Sequence, residues 1–516
     1  MSFTKAIIIN PPSPVGYMSN KDSMGGFGQL YAEEAPPFPP LDMAYLAAYL
    51  RKDGHAVVVH DCAALGWSLD DLAKTCGNDR EFHAALVLVR TSLPTIDVDL
   101  QTCARLAGMQ DAGRVALFGP VIPSLLKRIE QDQTLSFVFL TEPDRPAAAL
   151  MRGESVGQIP GIGYREGAAW THTADLPFEK NLDALPFPAW DLLPYKEYVI
   201  PKSSTSGSAR FLPMLSSRGC PFGCSYCPYP VGQGLKWRYR SASNVVDEMQ
   251  FLVEKFGVEY ILFRDPMFSA QQKRVMAICR EIIARGIKVY WKCETRMDCL
   301  DDETIELMAR AGCVGINFGV ESTDPEIQKG VHRTPILPEE FVAKVASCRE
   351  HGVATFAFFV IGLPGDTLRT ILDSIEFAIR IRANWTQFTM ATPFIGTPMY
   401  KWALNERLIE ADFYKIVSAH ERSVGNENLT GADIKRLHRF ARFLQDHILN
   451  RHGILKNDRR KGLAYRSLKA IADFASRSAA LTLFHAARWH FTRSVSHKPR
   501  AGRSALPRSE PIRVAK

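Results

Sequence analysis

Short apolar runs, each stopped by Gly, Pro or Asn, recur along this chain and alternate with stretches of helical spacing. Residues 5–10 form the first run and end at Asn10-Pro11-Pro12, which reads as a buried parallel strand. Leu41, Tyr45, Ala48 and Tyr49 then lie on one helical face, and Asp53-Gly54 closes that helix. Val57–Val59, Ala84–Val89 and Val115–Phe118 are further strand-like runs. The alternation predicts an open, doubly wound, Rossmann-like α/β domain over residues 1–150. Such sheets take ligands at the carboxyl ends of their strands. Residues 151–205 are expected to be a connector, in which Asp183–Pro194, with Pro186, Pro188 and Pro194, has too many prolines for helix or central strand.

The alternation resumes at Phe211. Tyr260–Arg264, Val289–Cys293, Val314–Val320, Phe356–Ile361 and Gln387–Thr392 read as strands, with one more before Cys220. Six strand–helix units over residues 206–400 predict a partial (β/α)6 barrel. Polar signals fall at the carboxyl ends of its strands, where barrels carry their chemistry. They are Asp265-Pro266, Glu294-Thr295-Arg296, Gly319-Val320-Glu321, Gly362-Leu363-Pro364-Gly365 and Thr392-Pro393. Residues 401–496 read as helical, with an apolar stripe at Ile434, Leu437, Phe440, Ala441, Leu444 and Ile448. A second stripe begins at Leu468, Ile471 and Ala475. Residues 497–516, rich in Pro, Arg and Ser, are expected to be disordered.

Charge changes this picture at one end only. Residues 431–516 carry 20 Lys and Arg against five acidic residues, a net +15 within a chain of net +8. The basic character therefore belongs to the C-terminal segment, which reads as solvated helices capping the barrel with a loose tail or, alternatively, as a peripheral contact with an anionic membrane; no specific nucleic-acid binding is expected. No run of 18 apolar residues occurs, and the N-terminus lacks a cleavable leader pattern. The expected location is cytoplasmic, with room for contact at the inner membrane face. Eleven cysteines without an export signal do not suggest a disulfide framework. Eight of them are scattered in apolar surroundings and read as small buried hydrophobes.

The other three are Cys220, Cys224 and Cys227, spaced CxxxCxxC within Arg218-Gly219-Cys220-Pro221-Phe222-Gly223-Cys224-Ser225-Tyr226-Cys227-Pro228. A cubane 4Fe–4S cluster normally takes four thiolates. Three from one loop hold three irons and leave the fourth open to an outside ligand. Gly219 and Gly223 permit tight backbone paths, and the prolines stiffen the loop. A structural zinc site needs four ligands, usually as two separated pairs, and nothing nearby completes such a set. A redox pair and chance are the other bland readings.

The loop resembles that of the radical S-adenosylmethionine (SAM) superfamily, and the strand-end signals resemble its barrel over roughly residues 211–400. The resemblance implies that SAM chelates the open iron and is cleaved reductively to a 5′-deoxyadenosyl radical. It implies that the backbone around Tyr226 faces the adenine, and that Glu321 and Arg333 contact the ribose and methionine parts of SAM. It implies that the turn from Gly362 to Gly365 lets the backbone approach the adenine, and that Arg296 and Asp265 face the same mouth. Residues 5–150 are similar to the cobalamin-binding-type domain that precedes many such barrels. The matching pieces are Ile7-Ile8-Ile9-Asn10-Pro11-Pro12, Leu46–His55 and Phe118-Gly119-Pro120. The loop after the first strand, Asn10–Gly16, holds no histidine. Cobalamin, if bound, is thus expected without a histidine ligand from the protein.

These likenesses imply a cobalamin-dependent methyltransferase, or a related radical rearrangement, acting on a small-molecule or lipid substrate. They also imply a reducing partner such as flavodoxin or ferredoxin. Two other readings stay open at this point. One is a cobalamin-free oxidoreductase or methylthiotransferase, the latter placing a second cluster on Cys62, Cys76 and Cys103. The other is a non-enzymatic iron–sulfur protein.

Overall fold

The computed structural model describes residues 3–110, 114–201, 208–410, 424–450, 481–488 and 491. Two seven-stranded sheets organise it. The first contains β1 (Ala6–Asn10), β2 (Val57–Asp61), β3 (Leu86–Arg90), β4 (Val115–Phe118), β5 (Phe137–Phe139), β6 (Ile162–Glu166) and β7 (Ala169–His172) in the order β2-β1-β3-β4-β5-β6-β7. The first five strands are parallel. The reversal of order at β1 is the doubly wound pattern, with its switch point between β1 and β3. All five residues of β1 are buried. Ile7 and Ile9 pack into one apolar layer, Ala6 and Ile8 into the other. A strand covered on both faces reads as a continuous apolar run, which is why its position was legible.

The hairpin of β6 and β7 corrects the expectation for residues 151–205. It extends the first sheet antiparallel to β5, turning at Gly167 with φ 62°. The prolines that argue against strands, Pro186, Pro188 and Pro194, all lie beyond this hairpin. These strands are polar because they lie at the sheet's edge, so no apolar run announced them. The connector contributes one strand to the second sheet as well.

That second sheet holds β8 (Val199–Pro201), β9 (Ser208–Met214), β10 (Tyr260–Phe263), β11 (Tyr290–Thr295), β12 (Cys313–Glu321), β13 (Ala354–Ile361) and β14 (Trp385–Met390), in sequence order. β8 is antiparallel, and β9 to β14 are the six parallel strands of the expected partial barrel. Buried and half-buried residues alternate strictly along β13 and β14. One set packs on the helices and the other lines the lumen.

An unfinished barrel leaves an open edge at β14, and the C-terminal helix Gly431–Leu444 with its extension Gln445–Leu449 seals it. Gln445 accepts from Phe388 N (2.8 Å). Asn450 accepts from Thr386 N and donates to Thr386 O, both at 2.8 Å. His438 Nε2 lies 3.1 Å from Phe388 O. These side chains take the places a further strand's backbone would occupy. Ile434, Leu437, Ala441 and Leu444 of the expected stripe are buried against the barrel. The second stripe, at Leu468, Ile471 and Ala475, lies outside the described residues. So do the 497–516 tail and most of the basic segment, and the membrane expectation rests there. No helix among the described residues is long and apolar enough to cross a membrane.

The carboxyl strand ends of the two sheets meet. Tyr198 donates to Asp61 at the end of β2 (2.6 Å), and Arg264 after β10 donates to the Asp22 carbonyl (3.0 Å). Arg90, 2% exposed, ends β3 and pairs with Asp22 (2.9 Å) and Asp42 (2.7 Å). It thereby ties the 20–28 loop and the helix Leu41–Lys52 to the sheet. Replacing Arg90 with methionine leaves Asp22 buried without its cation. We expect a loss of roughly 3–5 kcal/mol in unfolding free energy, measured by urea denaturation. A loss under about 1 kcal/mol, the range of an exposed pair, would show that the network is not structural.

Candidate functional site

The three thiols of the CxxxCxxC loop stand in one turn-rich loop at the carboxyl end of β9, all half-buried and unpaired. The loop is pinned at both ends. Cys220 N donates to Gly234 O (3.1 Å), and Gly219 N to Gln233 Oε1 (3.2 Å). Gly219 has φ 81°, and a Cβ there would collide with the Lys236 carbonyl, so glycine is required before the first cysteine. In the middle, Ser225 N donates to Val331 O and Ser225 O accepts from Met399 N, both at 2.9 Å. The loop therefore hangs from segments that follow β12 and β14.

Burial pushes the Cys220 thiol up to about 11 and the Cys227 thiol well above its ordinary range. Arg296 and Arg333 pull Cys220 the other way. Among the described residues no three Cys, His, Asp or Glu side chains gather closely enough to share one metal ion. Thiolates on separate irons of a cubane need no such convergence, and Cys220 and Cys227 both feel the charge of neighbouring thiols in the loop. The donor set suits a cluster better than a single zinc.

Around the loop the structure brings together most of the residues singled out from sequence. Arg296 stacks its guanidinium over Phe222 of the loop, 4.6 Å from the ring centre. It also forks onto Asp298 (3.0 and 2.8 Å) and donates to Thr334 O (3.0 Å). Arg333 donates to Gly319 O (2.5 Å) and stands 3.7 Å from Glu321. Burial raises the Glu321 carboxyl, and Arg333 opposes that rise. Glu321 holds φ 65°, and His332, the residue before Arg333, holds φ 58°. Strain of this kind persists only where its surroundings over-determine it. A Cβ on Gly319 would collide with the Glu321 carboxylate, and that glycine lets the side chain fold back over the strand end. Arg296 Nη1 and Arg333 Nε are buried donors with no acceptor. An anionic group such as the SAM carboxylate would satisfy them. Tyr226 packs its ring against the cluster of Ile327, Val331, Leu363 and Met399.

Two expectations need correction. Asp265 does not face the mouth. It is fully buried and accepts from Ser216 N (2.8 Å), Ser216 Oγ (2.6 Å) and Ser217 Oγ. Its carboxylate anchors the segment leading into Cys220. The glycines of the Gly362–Gly365 turn meet protein side chains. Gly362, φ 87°, directs its missing Cβ at Ile434 of the C-terminal helix (2.7 Å), and Gly365 at Ile327 (3.0 Å). The turn's Gly362 and Leu363 N–H groups donate to Asp366 (3.0 and 2.9 Å).

Asn426 and Asn428 clasp the same turn and were missed from sequence. Asn426 donates to Leu363 O (2.9 Å) and Asp366 O (3.0 Å), and Asn428 to Gly365 O (3.1 Å). The Asn-x-Asn spacing just ahead of the Thr430–Asp433 capping box was the available signal.

A second feature is a crevice between the two sheets, at the carboxyl ends of β4 and β5. Phe118-Gly119-Pro120, Leu140–Asp144, Asp22, Gly25, Gly26, Tyr45, Arg218, Gly232 and Arg264 line it around a cavity of about 140 Å³. No histidine is among its lining residues. Asp22 Oδ2 is buried there without a hydrogen-bond partner. Burial pushes Asp144 up to about 6.

Residues 214–378 match the family model of the radical SAM superfamily, and this segment is a radical SAM domain. The chain is 28% identical to an uncharacterised methyltransferase of Pyrococcus horikoshii, over 72% of this chain and 80% of that protein. It is 26% identical to an anaerobic magnesium-protoporphyrin IX monomethyl ester cyclase of Cereibacter sphaeroides, over 72% of this chain and 61% of that one. A solved structure of the radical SAM methyltransferase TsrM from Kitasatospora setae, with cobalamin and a [4Fe-4S] cluster bound, superposes with a TM-score of 0.64. That match has 20% identity and covers 79% of this chain and 78% of that one, so it speaks for the fold.

The buried turn carboxylate Asp366 is raised to about 7, by burial first, against its bonds to Thr370 and the turn amides. A carboxyl whose folded pKa lies above its unfolded value near 3.8 favours the folded state most below that value. That contribution falls as pH rises from about 4 and is gone above about 7. Asp366→Asn, which cannot ionise, should flatten this fall. Unfolding free energies of both proteins between pH 5 and 8 check this. Parallel pH profiles would refute it.

Proposed function

We propose that this protein is a cobalamin-dependent radical SAM methyltransferase acting on an unactivated centre of a small molecule. The observation that carries the reading is the pairing of two sites. A three-thiol loop with two unsatisfied arginine donors stands beside an inter-sheet crevice at the strand ends of a doubly wound domain. Cys220, Cys224 and Cys227 would hold three irons of a 4Fe–4S cluster. Arg296, Arg333 and Glu321 would bind and orient SAM, the arginines on its carboxylate. Asp22 and Asp144 would accept from amide groups at the rim of a corrin in the crevice. Bound in these places, the cluster supplies the electron that cleaves the sulfonium and cobalamin carries the methyl group. The protein's own part is to hold the two reactive centres across one small, water-poor space. The electron would come from an external reductant of the flavodoxin or ferredoxin class.

A radical ring closure is the second reading, supported by the similarity to the magnesium-protoporphyrin ester cyclase. A methylthiotransferase is disfavoured by packing. Cys62, Cys76 and Cys103 are sealed in the apolar layer with Ile7, Leu72 and Leu100, leaving no room for a cluster.

After anaerobic reconstitution, alanine at Cys220, Cys224 or Cys227 should abolish both the 4Fe–4S absorbance and SAM cleavage, whereas Cys103→Ala should keep them. A full cluster in the triple variant would sink the assignment.

Reconstitution with cobalamin separates the readings further. The protein should bind it stoichiometrically, and the electron paramagnetic resonance spectrum of the Co(II) form should lack nitrogen superhyperfine splitting from a protein histidine. Failure to bind at saturation would remove the cobalamin step. Nitrogen splitting would keep the cofactor and overturn the ligation argument.

A further inference from the structure

Below the cysteine loop, the lumen of the half-barrel is divided between a polar and an aromatic wall. Arg264 follows β10, Lys292 and Glu294 alternate along β11, and Asn317 stands beside Glu294 in register on β12. Across from them, Phe356 and Phe358 alternate along β13, and Trp385 of β14 is in register with Phe356. Residues in register on neighbouring parallel strands share a face, so these three rings form one surface.

Glu294 is fully engaged. Arg264 (3.2 Å), Tyr229 (3.4 Å) and Asn317 (3.5 Å) all donate to it. Lys292 is not. It lies across Gly315, whose missing side chain leaves the passage, and sets its ammonium 3.2 Å from the centre of the Phe356 ring. A ring face is a weak partner for a full charge. Among the described residues no carboxylate forms an ion pair with it. Burial accordingly lowers its pKa to about 8. Lys292 is half-buried along β11, on the face that lines the lumen.

We propose that Lys292 is the substrate's anion anchor: the lumen takes a flat, largely apolar molecule carrying an oxyanion, carboxylate or phosphate. The oxyanion pairs with the ammonium and the flat body lies on Phe356, Phe358 and Trp385. The anion then points away from the cysteine loop, and the apolar body faces the space where the reaction occurs. A buried cation without an acid partner selects strongly for an anion, because a neutral analogue leaves the charge unpaired. The inference rests on reading the barrel mouth as the reactive side.

The test uses the full chain loaded with its cluster, titrated calorimetrically with naphthoate, naphthyl phosphate and naphthalenemethanol. At least one anionic probe should bind about tenfold or more tighter than the neutral alcohol. The tighter of the two anions names the group. Lys292→Met should erase that preference and Lys292→Arg should retain most of it, with cluster absorbance reporting an intact fold in both. Equal affinity for all three probes, or an unchanged preference in Lys292→Met, would overturn the proposal. SAM cleavage by the unsubstituted protein is measured separately. Its absence would refute the functional reading and leave the probe result to stand alone.

Discussion

Glu142 is the joint on which both halves of the molecule close. It leaves the end of β5 and sits between two guanidinium groups, Arg218 at 2.9 Å and Arg238 at 3.0 Å. Burial works against its charge, yet the two arginines hold its carboxyl below the usual range. Arg218 lies two residues before Cys220 and stacks on Tyr45 of the first domain, 5.1 Å from the ring centre. A single carboxylate thus fixes the crevice wall and the root of the thiol loop together. Removing it would strand two buried cations, a far larger cost than losing a surface pair. The proposed approach of two cofactors to one substrate would begin with this contact.

The rest of the site follows the same logic of anchoring from behind. Asp265 holds the residues before the loop, Ser225 ties the loop's middle to the segments after β12 and β14, and Asp366 holds the turn after β13. Asp265 and Asp366 spend their oxygens on this support. Arg296 and Arg333, around the cysteine loop, keep one donor each unsatisfied. Rigid support behind and free valence in front is the arrangement that preorganisation requires.

How much of this was legible in sequence depended on burial. β1 and β4, covered on both faces, read as apolar runs, and β10 to β14, buried on one face with the other on the lumen, still stood out within a residue or two. The thiol loop was legible because its spacing is its chemistry. The edge hairpin β6–β7 was not, since exposed strands carry no run. Asp265 was placed at the right strand end but on the wrong side. Sequence spacing fixes which strand end a residue occupies, whereas Ser216 and Ser217, distant along the chain, decide where its carboxylate turns. Asn426, Asn428, Gln445 and Asn450 were missed for a related reason. Their partners are backbone atoms, which leave no residue-type signature, and the Asn-x-Asn spacing marks a helix start without naming the turn it clasps.

The amide seal on β14 also has a history in time. Trp385–Met390 is complete some sixty residues before Asn450 is made. At about 5–20 residues per second, that strand waits on the order of 3–12 s with its outer hydrogen-bonding edge bare. Throughout the wait the nascent half-barrel is a ready template for another chain's strand, and a ribosome stalled between these points would release an adhesive protein.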